Sequence, residues 1–188
     1  MQKIFLFRVG TIDSKENIFL GWLNLPLSKE GINEAKQISK KLAKESIGFA
    51  FCSDQIRSKQ ALLEVVKNHK NSKVIIDHRI RDKNYGVFSG HEKSVFKDYL
   101  PKKYKEIHRD YHAHIPKGEN MHDLSKRVFA FMNDLLVFMQ KEKGNVVICA
   151  HTSSLKLIRA YLENLDKREI ELIEQSPTTV KEYEVNFE

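Results

Sequence analysis

The sequence has few cysteines, prolines and glycines and no long apolar run. Among 188 residues there are two cysteines, four prolines and eight glycines, which argues against a disulfide framework and against a low-complexity chain. No apolar run approaches the roughly 20 residues that a membrane span needs, and the run at residues 3–7 is too short for a signal peptide. Cys52 and Cys149 lie inside apolar runs, where free thiols behave as small buried hydrophobes. We therefore expect no membrane span and a place in the reducing cytoplasm.

The chain is basic, and its charge is dispersed. Lysine and arginine number 32 against 25 acidic residues, giving a formal net charge of +7, while 41% of residues are hydrophobic. A basic balance favours anionic ligands. The lysines do not interleave with aromatic residues as they do in a nucleic-acid-binding groove, so nucleic acid is the less favoured partner. A chain of this length buries a core without metal or disulfide support, and we expect one domain over residues 1–188.

Short buried runs alternate with amphipathic stretches along the chain. Strands are predicted at residues 3–7, 49–52, 74–76, 146–150 and, as an edge strand, 178–185. Helices are predicted after the N-cap Ser28 and at 58–69, 92–99, 102–111, 123–141 and 155–162, with Thr152 and Ser153 as caps of the last one. This alternation predicts an α/β fold, a three-layer α/β/α sandwich around a mostly parallel central sheet.

Basic side chains follow three of the predicted strands. Arg8 directly follows the first strand, Arg57 lies just beyond the second, and His151 follows the strand at 146–150. Ligands of open α/β sheets bind outside the carboxyl ends of the strands, so these residues belong to one crevice. Two guanidinium groups and an imidazole there would clamp a phosphoryl group. From the residues alone, scattered surface arginines and a satisfied strand-end histidine remain an open alternative.

Six segments, in order, resemble the histidine phosphatase superfamily, which is also called phosphoglycerate-mutase-like. They are residues 7–10, 16–22 with 26–28 and Gly31, 52–58, 82–90, 116–120 and 147–151. Each segment alone is a weak signal, but six in the family's order cover nearly the whole chain. The Gly-Trp and Asn-Tyr-Gly segments are more similar to the phosphoglycerate mutase branch than to the average phosphatase.

The resemblance implies a mechanism and a set of site residues. In that mechanism one histidine attacks phosphorus and becomes a phosphohistidine, a second histidine and two arginines hold the phosphoryl oxygens, and an acidic residue protonates the leaving oxygen. Carried over to this chain, Arg8 and Arg57 are the phosphate clamp, His151 is the second histidine and Asp82 stands at the acid position. The resemblance also implies substrate contacts at Gly10, Thr11, Ser14, Gly21, Tyr85 and Thr152.

Val9 stands where the resemblance places the nucleophilic histidine. A valine side chain has no lone pair, so it cannot form a phosphoenzyme. Other departures accompany it: Thr11 for an acidic or amide residue, a loop one residue shorter with Ser14 for an asparagine, the shorter acid Asp82, and Thr152 and Ser153 for glycines. An isolated substitution at Val9 would not bring these changes with it, so we favour a natural pseudo-enzyme over an altered active parent.

A histidine cluster lies apart from these segments. His108 and His112 are spaced to share a helix face, as metal ligands often are, and His114 follows. The glutamate of the zinc-protease motif is absent and no cysteine lies near. We therefore expect a polar helix end here, and no metal or cofactor.

Three functional hypotheses remain. The favoured one is a phosphate-binding protein of this fold that binds a phosphorylated metabolite or a phosphoprotein without a phosphohistidine step. The alternatives are an active phosphomonoesterase or phosphoglycerate mutase working by another route, and a basic scaffold that binds nucleic acid. A helical insertion at about residues 91–115 is expected to cover the pocket and set its specificity. The sequence does not indicate an oligomeric state.

Overall fold

A five-stranded sheet organises the molecule. The computed structural model of the chain describes residues 1–14 and 17–187, without the side chain of Arg109, so Glu16 of the second resembling segment lies outside the described residues. The strands are β1 (Gln2–Arg8), β2 (Phe49–Cys52), β3 (Lys73–Ile76), β4 (Val146–Ala150) and β5 (Val180–Val185). Their order is β3-β2-β4-β1-β5, and only β5 pairs antiparallel, at the edge beside β1. The predicted α/β fold with a mostly parallel sheet is confirmed.

Helices connect the strands. They are α1 (Lys29–Leu42), α2 (Ile56–Val66), α3 (Lys93–Tyr99), α4 (Pro101–Arg109), α5 (Met121–Glu142), α6 (Thr152–Glu163) and α7 (Lys167–Leu172). The predicted N-cap is confirmed, because the Ser28 side chain accepts a hydrogen bond from the Gly31 N–H. Pro101 is the first residue of α4, where its missing N–H costs nothing. Within the described residues, none of the helices combines the length and apolarity needed to cross a membrane.

The start of α6 differs from the prediction. Thr152 and Ser153 are its first helical residues and do not cap it. The reason is that the backbone of His151 already has the extended conformation of an N-cap residue, with φ −91° and ψ 167°. The His151 N–H donates to the Ser154 hydroxyl at 3.1 Å, which fixes the chain at this point. The short helix α7 was not predicted at all.

Alternating side chains of the strands build a core on each face of the sheet. Ile4, Leu6 and Ile148 pack with α5 and α6 on one face, while Phe5 and Phe7 pack with α1 and α2 on the other. Successive side chains of a strand point to opposite faces, so two helix layers cover the sheet. This arrangement is the predicted three-layer sandwich.

A smaller apolar cluster covers the carboxyl ends of the strands. Phe19, Tyr85, Ile107 and Ile115 are its buried members, and the Phe19 and Tyr85 ring centroids lie 5.0 Å apart. These residues come from the loop before Gly21, from the loop after Asp82 and from α4 onwards. The cluster therefore forms a roof that joins three separate segments above the sheet.

Candidate functional site

A cleft opens at the carboxyl ends of β1 and β4, beneath this roof. It has a volume of about 240 Å³ and is lined by Arg8, Val9, Gly10, Thr11, Ile12, Leu20, Arg57, Asp82, His151 and Thr152. The structure thus brings eight of the predicted site positions together. The remaining three, Ser14, Gly21 and Tyr85, are not among the lining residues.

Arg8 is positioned by the last backbone pairing of β1 and lies opposite Ala150 of β4. Its Nε atom is buried and has no hydrogen-bond partner among the described residues. Burial lowers the pKa of Arg8, while the carboxylates of Glu34 and Asp82 oppose that shift. A guanidinium stays charged in proteins. Arg8 therefore supplies a positive charge and a buried donor to the cleft.

Val9 forms an apolar part of the cleft wall. Its side chain is 7% exposed and belongs to the core between the sheet and α1. Its N–H donates to the Ala150 carbonyl at 2.8 Å, which continues the β1–β4 pairing by one residue. A valine here offers the cleft methyl groups and no proton or lone pair.

Arg57 braces the loop that precedes α1 and also lines the cleft. It is 1% exposed, and its two terminal nitrogens donate to the carbonyls of Leu23 at 2.6 Å and Gly21 at 2.7 Å. Gly21 has φ +48°, and a Cβ there would lie 2.8 Å from the Lys83 carbonyl, so the loop needs glycine at this position. Each terminal nitrogen of Arg57 carries a second hydrogen that these contacts do not use.

His151 is fixed by a buried serine. Its Nε2 shares a hydrogen bond of 2.8 Å with the Ser53 hydroxyl, and the residue is 3% exposed. Burial lowers the pKa of His151 to about 3; the Asp82 carboxylate opposes this shift and Arg57 adds to it. The imidazole is therefore neutral at physiological pH and offers hydrogen bonding without charge.

Asp82 stands beside His151 as an ionised carboxylate. Burial opposes its ionisation, but His151, Arg57 and backbone N–H groups outweigh burial and hold the pKa of Asp82 below its ordinary value. Because His151 is neutral at physiological pH, the positive charges that act on Asp82 there are those of Arg57, Arg8 and Lys93. The Ser153 N–H, in the first turn of α6, donates to the carboxylate at 3.4 Å.

Glu34 is a contact that the sequence analysis missed. From α1 it accepts hydrogen bonds from the Thr11 N–H at 2.6 Å and the Thr11 hydroxyl at 3.2 Å. The loop after β1 lies close against α1 here, since a Cβ at Gly10 would be 2.6 Å from Glu34 Oε2. The Glu34 carboxylate therefore lies beside the cleft and accepts the hydrogen bond of the Thr11 N–H, so this N–H is not free for a ligand.

Two further basic residues were missed. Lys93, the first residue of α3, is half-buried; burial lowers its pKa and Asp82 opposes the shift, which indicates that the ammonium group is near the cleft. Arg127 of α5 donates to the carbonyls of Arg79 at 2.6 Å and Asp82 at 2.8 Å. Arg127 also pairs with Glu119 at 2.6 Å. It thereby holds the backbone that carries Asp82.

Lys83 and Tyr85 join the Asp82 loop to the roof. Lys83 is 0% exposed, and its ammonium donates to the Ile107 carbonyl of α4 at 2.6 Å. Burial lowers the pKa of Lys83 to about 8. The Tyr85 hydroxyl shares a hydrogen bond of 3.1 Å with His108 Nδ1. Tyr85 is thus a buried roof residue, and its predicted substrate contact stays a prediction.

The spacing of His108, His112 and His114 raised the question of a metal site. Over residues 1–14 and 17–187, the structure contains no grouping of histidine, cysteine, aspartate or glutamate that could hold a metal ion. His108 instead stacks against Tyr104, with ring centroids 5.4 Å apart. Its position indicates a role in packing the roof.

Comparisons with known proteins identify the family. The model of the histidine phosphatase superfamily, branch 1, matches residues 4–187. This chain belongs to that superfamily. It is 31% identical over 195 residues to a 2,3-bisphosphoglycerate-dependent phosphoglycerate mutase of Methanococcus vannielii, covering 89% of this chain and 83% of that protein. A mutase of the same name from Pseudoalteromonas atlantica is 22% identical, covering 99% and 95% of the two chains.

Solved structures of histidine phosphatases share the fold. The α-ribazole phosphatase of Shigella flexneri superposes with a TM-score of 0.85 at 20% identity, covering 98% of this chain and 91% of that one. A mycobacterial glucosyl-3-phosphoglycerate phosphatase, solved with VO3, gives a TM-score of 0.83 at 19% identity, covering 97% and 90%. At this identity the likeness concerns the fold. The resemblance predicted from the six segments is confirmed at the level of the superfamily.

Proposed function

We propose that this chain binds the phosphoryl group of a phosphorylated metabolite or phosphoprotein in the cleft and does not transfer it through a phosphohistidine. The observation that carries the proposal is the meeting of Arg8, Arg57, His151 and Asp82 around Val9 in one cleft. The charged and hydrogen-bonding groups expected of a phosphate site surround a side chain that cannot react.

Binding is supported by the electrostatics of the cleft. The partly buried Arg8 and the buried Arg57 both line the cleft, and the charge of Lys93 acts on Asp82 in the same cleft. Phosphate oxygens match the planar fork of a guanidinium. The cleft also contains the neutral imidazole of His151, whose Nε2 is hydrogen-bonded to Ser53 and which adds no positive charge beside the arginines. Together these groups favour a doubly charged phosphate over a neutral ligand.

Lack of turnover is supported by two groups. Val9 has no atom that can attack phosphorus. Asp82 is ionised, since its pKa lies below the ordinary value, and an ionised carboxylate has no proton to give to a leaving oxygen. Both the covalent step and the acid step of the family mechanism are therefore impaired in this chain.

The test compares three proteins: the unaltered chain, Val9→His, and Val9→Asn as a polar control without a nucleophile. Binding of inorganic phosphate is measured by calorimetry, and phosphate release is measured from an aryl phosphate and from 3-phosphoglycerate. We expect all three to bind phosphate and only Val9→His to release it above background.

Two results would contradict the proposal. Sustained phosphate release by the unaltered chain, abolished by His151→Ala, would make it an active phosphomonoesterase. Absence of phosphate binding at millimolar concentration, with a folded protein by circular dichroism, would remove the phosphate site. A nucleic-acid titration with a steep salt dependence would then favour the basic-scaffold alternative.

We place the protein in the reducing cytoplasm. Cys52 and Cys149 lie opposite each other on neighbouring strands and are both free and buried. Burial raises the pKa of Cys52 to about 12, so its thiol stays protonated. Two neighbouring thiols that stay unlinked are typical of proteins from a compartment in which disulfides do not accumulate.

A further inference from the structure

The turn between α3 and α4 protrudes from the roof. The two helices follow each other directly, because Leu100 caps the end of α3 and the start of α4. All six residues at 97–102 are exposed, whereas a helix that lies flat on a protein buries one side of each turn. We call residues 95–105 the roof tip, and none of them lines the phosphate cleft.

Apolar side chains of the roof tip are exposed to water. Tyr99 is 81% exposed, Leu100 52% and Val95 46%. Val95 and Tyr99 are four residues apart in α3, so they lie on one face of the helix. Scattered exposed apolar residues are ordinary, but neighbouring ones mark a surface that contacts a membrane or another molecule.

Positive charge surrounds these apolar side chains. The roof tip contains four lysines and one acidic residue. Lys103 forms an ion pair with Glu106 at 3.2 Å. The exposed lysines are Lys97, Lys102 and Lys105. Apolar side chains flanked by exposed cations complement a surface that is anionic outside and apolar beneath.

The buried sides of the two helices hold the roof tip in place. Phe96 of α3 and Tyr104 of α4 pack against the apolar cluster of the roof. The centroid of the Phe19 ring lies 5.6 Å from that of Phe96 and 6.0 Å from that of Tyr104. One buried ring therefore anchors both helices. Since the exposed side chains stand on a packed scaffold, little ordering of the backbone opposes docking.

We propose that the roof tip docks on the surface of a membrane that contains anionic lipids. Tyr99 and Leu100 would enter the boundary between headgroups and acyl chains, and the exposed lysines would stay among the headgroups. Tyrosine is enriched at this boundary because its ring is apolar and its hydroxyl is polar. Anionic lipids are abundant in the cytoplasmic leaflet, which agrees with the cytoplasmic placement proposed for this protein. Such docking needs no membrane-spanning helix and does not depend on the phosphate site.

Nucleic acid and an acidic protein are the competing partners. Single-stranded nucleic acid stacks its bases on several aromatic side chains along a groove, whereas Tyr99 is the exposed aromatic side chain of the roof tip. A protein partner would need a pocket shaped to a projecting turn. A lipid surface deforms around such a turn, so the observations favour the membrane.

The test is co-sedimentation of the full chain with large vesicles at one salt concentration. One preparation contains phosphatidylcholine alone, and the other contains phosphatidylcholine and phosphatidylserine. We expect binding to the mixed vesicles and little binding to phosphatidylcholine alone. Each lysine near an anionic surface contributes about fivefold in affinity, so Lys97→Gln combined with Lys102→Gln should weaken binding roughly 25-fold. The control is Lys36→Gln combined with Lys40→Gln, the same change of charge at exposed positions of α1, which should change binding little.

A matched pair of leucines tests the apolar contribution. Leu100 in the roof tip and Leu63 in α2 are both 52% exposed. Leu100→Ser removes an apolar side chain that docking would bury, and we expect it to weaken binding to the mixed vesicles roughly tenfold. Leu63→Ser makes the same change outside the roof and should bind as the wild type does.

Four results would overturn the proposal. They are absence of binding to the mixed vesicles, equal binding to both kinds of vesicle, an equal loss in the roof-tip variants and their controls, and binding of single-stranded RNA but not of vesicles. The phosphate site is judged separately, by calorimetry of Leu100→Ser with inorganic phosphate. This variant should bind phosphate as the wild type does, so membrane docking and the phosphate site can fail independently.

Discussion

At the scale of single residues, His151 makes the stability of the fold depend on pH. Its pKa is about 3 in the folded protein and about 6.5 in an unfolded chain. The unfolded state therefore takes up a proton first as pH falls, and stability decreases below about pH 6.5. Asp82, which faces His151, is ionised through this range, because its own pKa is held below the ordinary value.

We expect the chain to lose about 2 kcal/mol of unfolding free energy between pH 7 and pH 5 through His151. His151→Gln, which retains a hydrogen-bonding group for Ser53, should not show this loss. The measurement is urea unfolding of both proteins at the two pH values. The exposed His114→Gln serves as control and should follow the wild type; a parallel pH dependence in His151→Gln would contradict the assignment.

Glu34 is the residue whose charge opposes anion binding at the cleft. Its carboxylate accepts a hydrogen bond from the Thr11 N–H, and its negative charge attracts the Arg8 guanidinium. Glu34→Gln keeps an oxygen for the Thr11 N–H but removes the negative charge, so phosphate should bind more tightly, by ~1 kcal/mol at low salt. Calorimetry with inorganic phosphate measures this. Glu30→Gln, an exposed position of the same helix, should change the affinity little, and equal effects of the two substitutions would indicate general charge alone.

At the scale of elements, Arg127 couples α5 to the segment that carries Asp82. Its guanidinium donates hydrogen bonds to the backbone carbonyls of Arg79, Arg81 and Asp82. It also forms an ion pair with the carboxylate of Glu119. Removing it leaves these acceptors and a charge unpaired, so Arg127→Met should lower the unfolding free energy by about 2–4 kcal/mol.

Arg159 provides the matched comparison. Its side chain is equally exposed, at 16%, and pairs with Glu163 within α6. A pair of this kind contributes about 0.3–0.5 kcal/mol, so Arg159→Met should cost far less than Arg127→Met in chemical denaturation. Equal losses in the two variants would mean that the backbone contacts of Arg127 contribute nothing.

The elements that the sequence predicted are those whose signal is local. The apolar runs of β1, β2 and β4 and the capping serine of α1 are each visible within a few residues. Helix α7 has a local signal too, since Asp166 caps it and Glu169 closes a capping box, but its six residues are too short for a helical period to appear. The capping box formed by Asp166 and Glu169 is the local pattern that could have predicted this helix.

The candidate site likewise has residues that the sequence predicts and contacts that it does not predict. Arg8, Arg57 and His151 follow strands, so topology alone places them at one edge of the sheet. The Glu34–Thr11 contact spans 23 residues, and the Arg127–Asp82 contact spans 45. No local pattern encodes such pairings, because they depend on how helices pack against loops.

At the scale of the whole molecule, binding at the cleft should stabilise the entire fold. Arg8 ends β1, Arg57 lies in the first turn of α2, and His151 precedes α6, so one phosphoryl group would join elements from both helix layers. A ligand that binds only the folded state stabilises it by mass action. Because Arg8, Arg57 and His151 are far apart in the sequence, unfolding of the segment that carries any one of them would weaken binding of the ligand.

Inorganic phosphate at ten times its dissociation constant should add about 1.4 kcal/mol of stability, which for a chain of this length raises the melting temperature by about 3–6 °C. Arg8→Met should abolish this increase, because it removes a positive charge that lines the cleft. Arg168→Met makes the same change of charge at an exposed position of α7 and should preserve the increase. Scanning calorimetry of the three proteins with and without phosphate measures it. An increase that persists in Arg8→Met would show that phosphate stabilises the fold elsewhere than in the cleft.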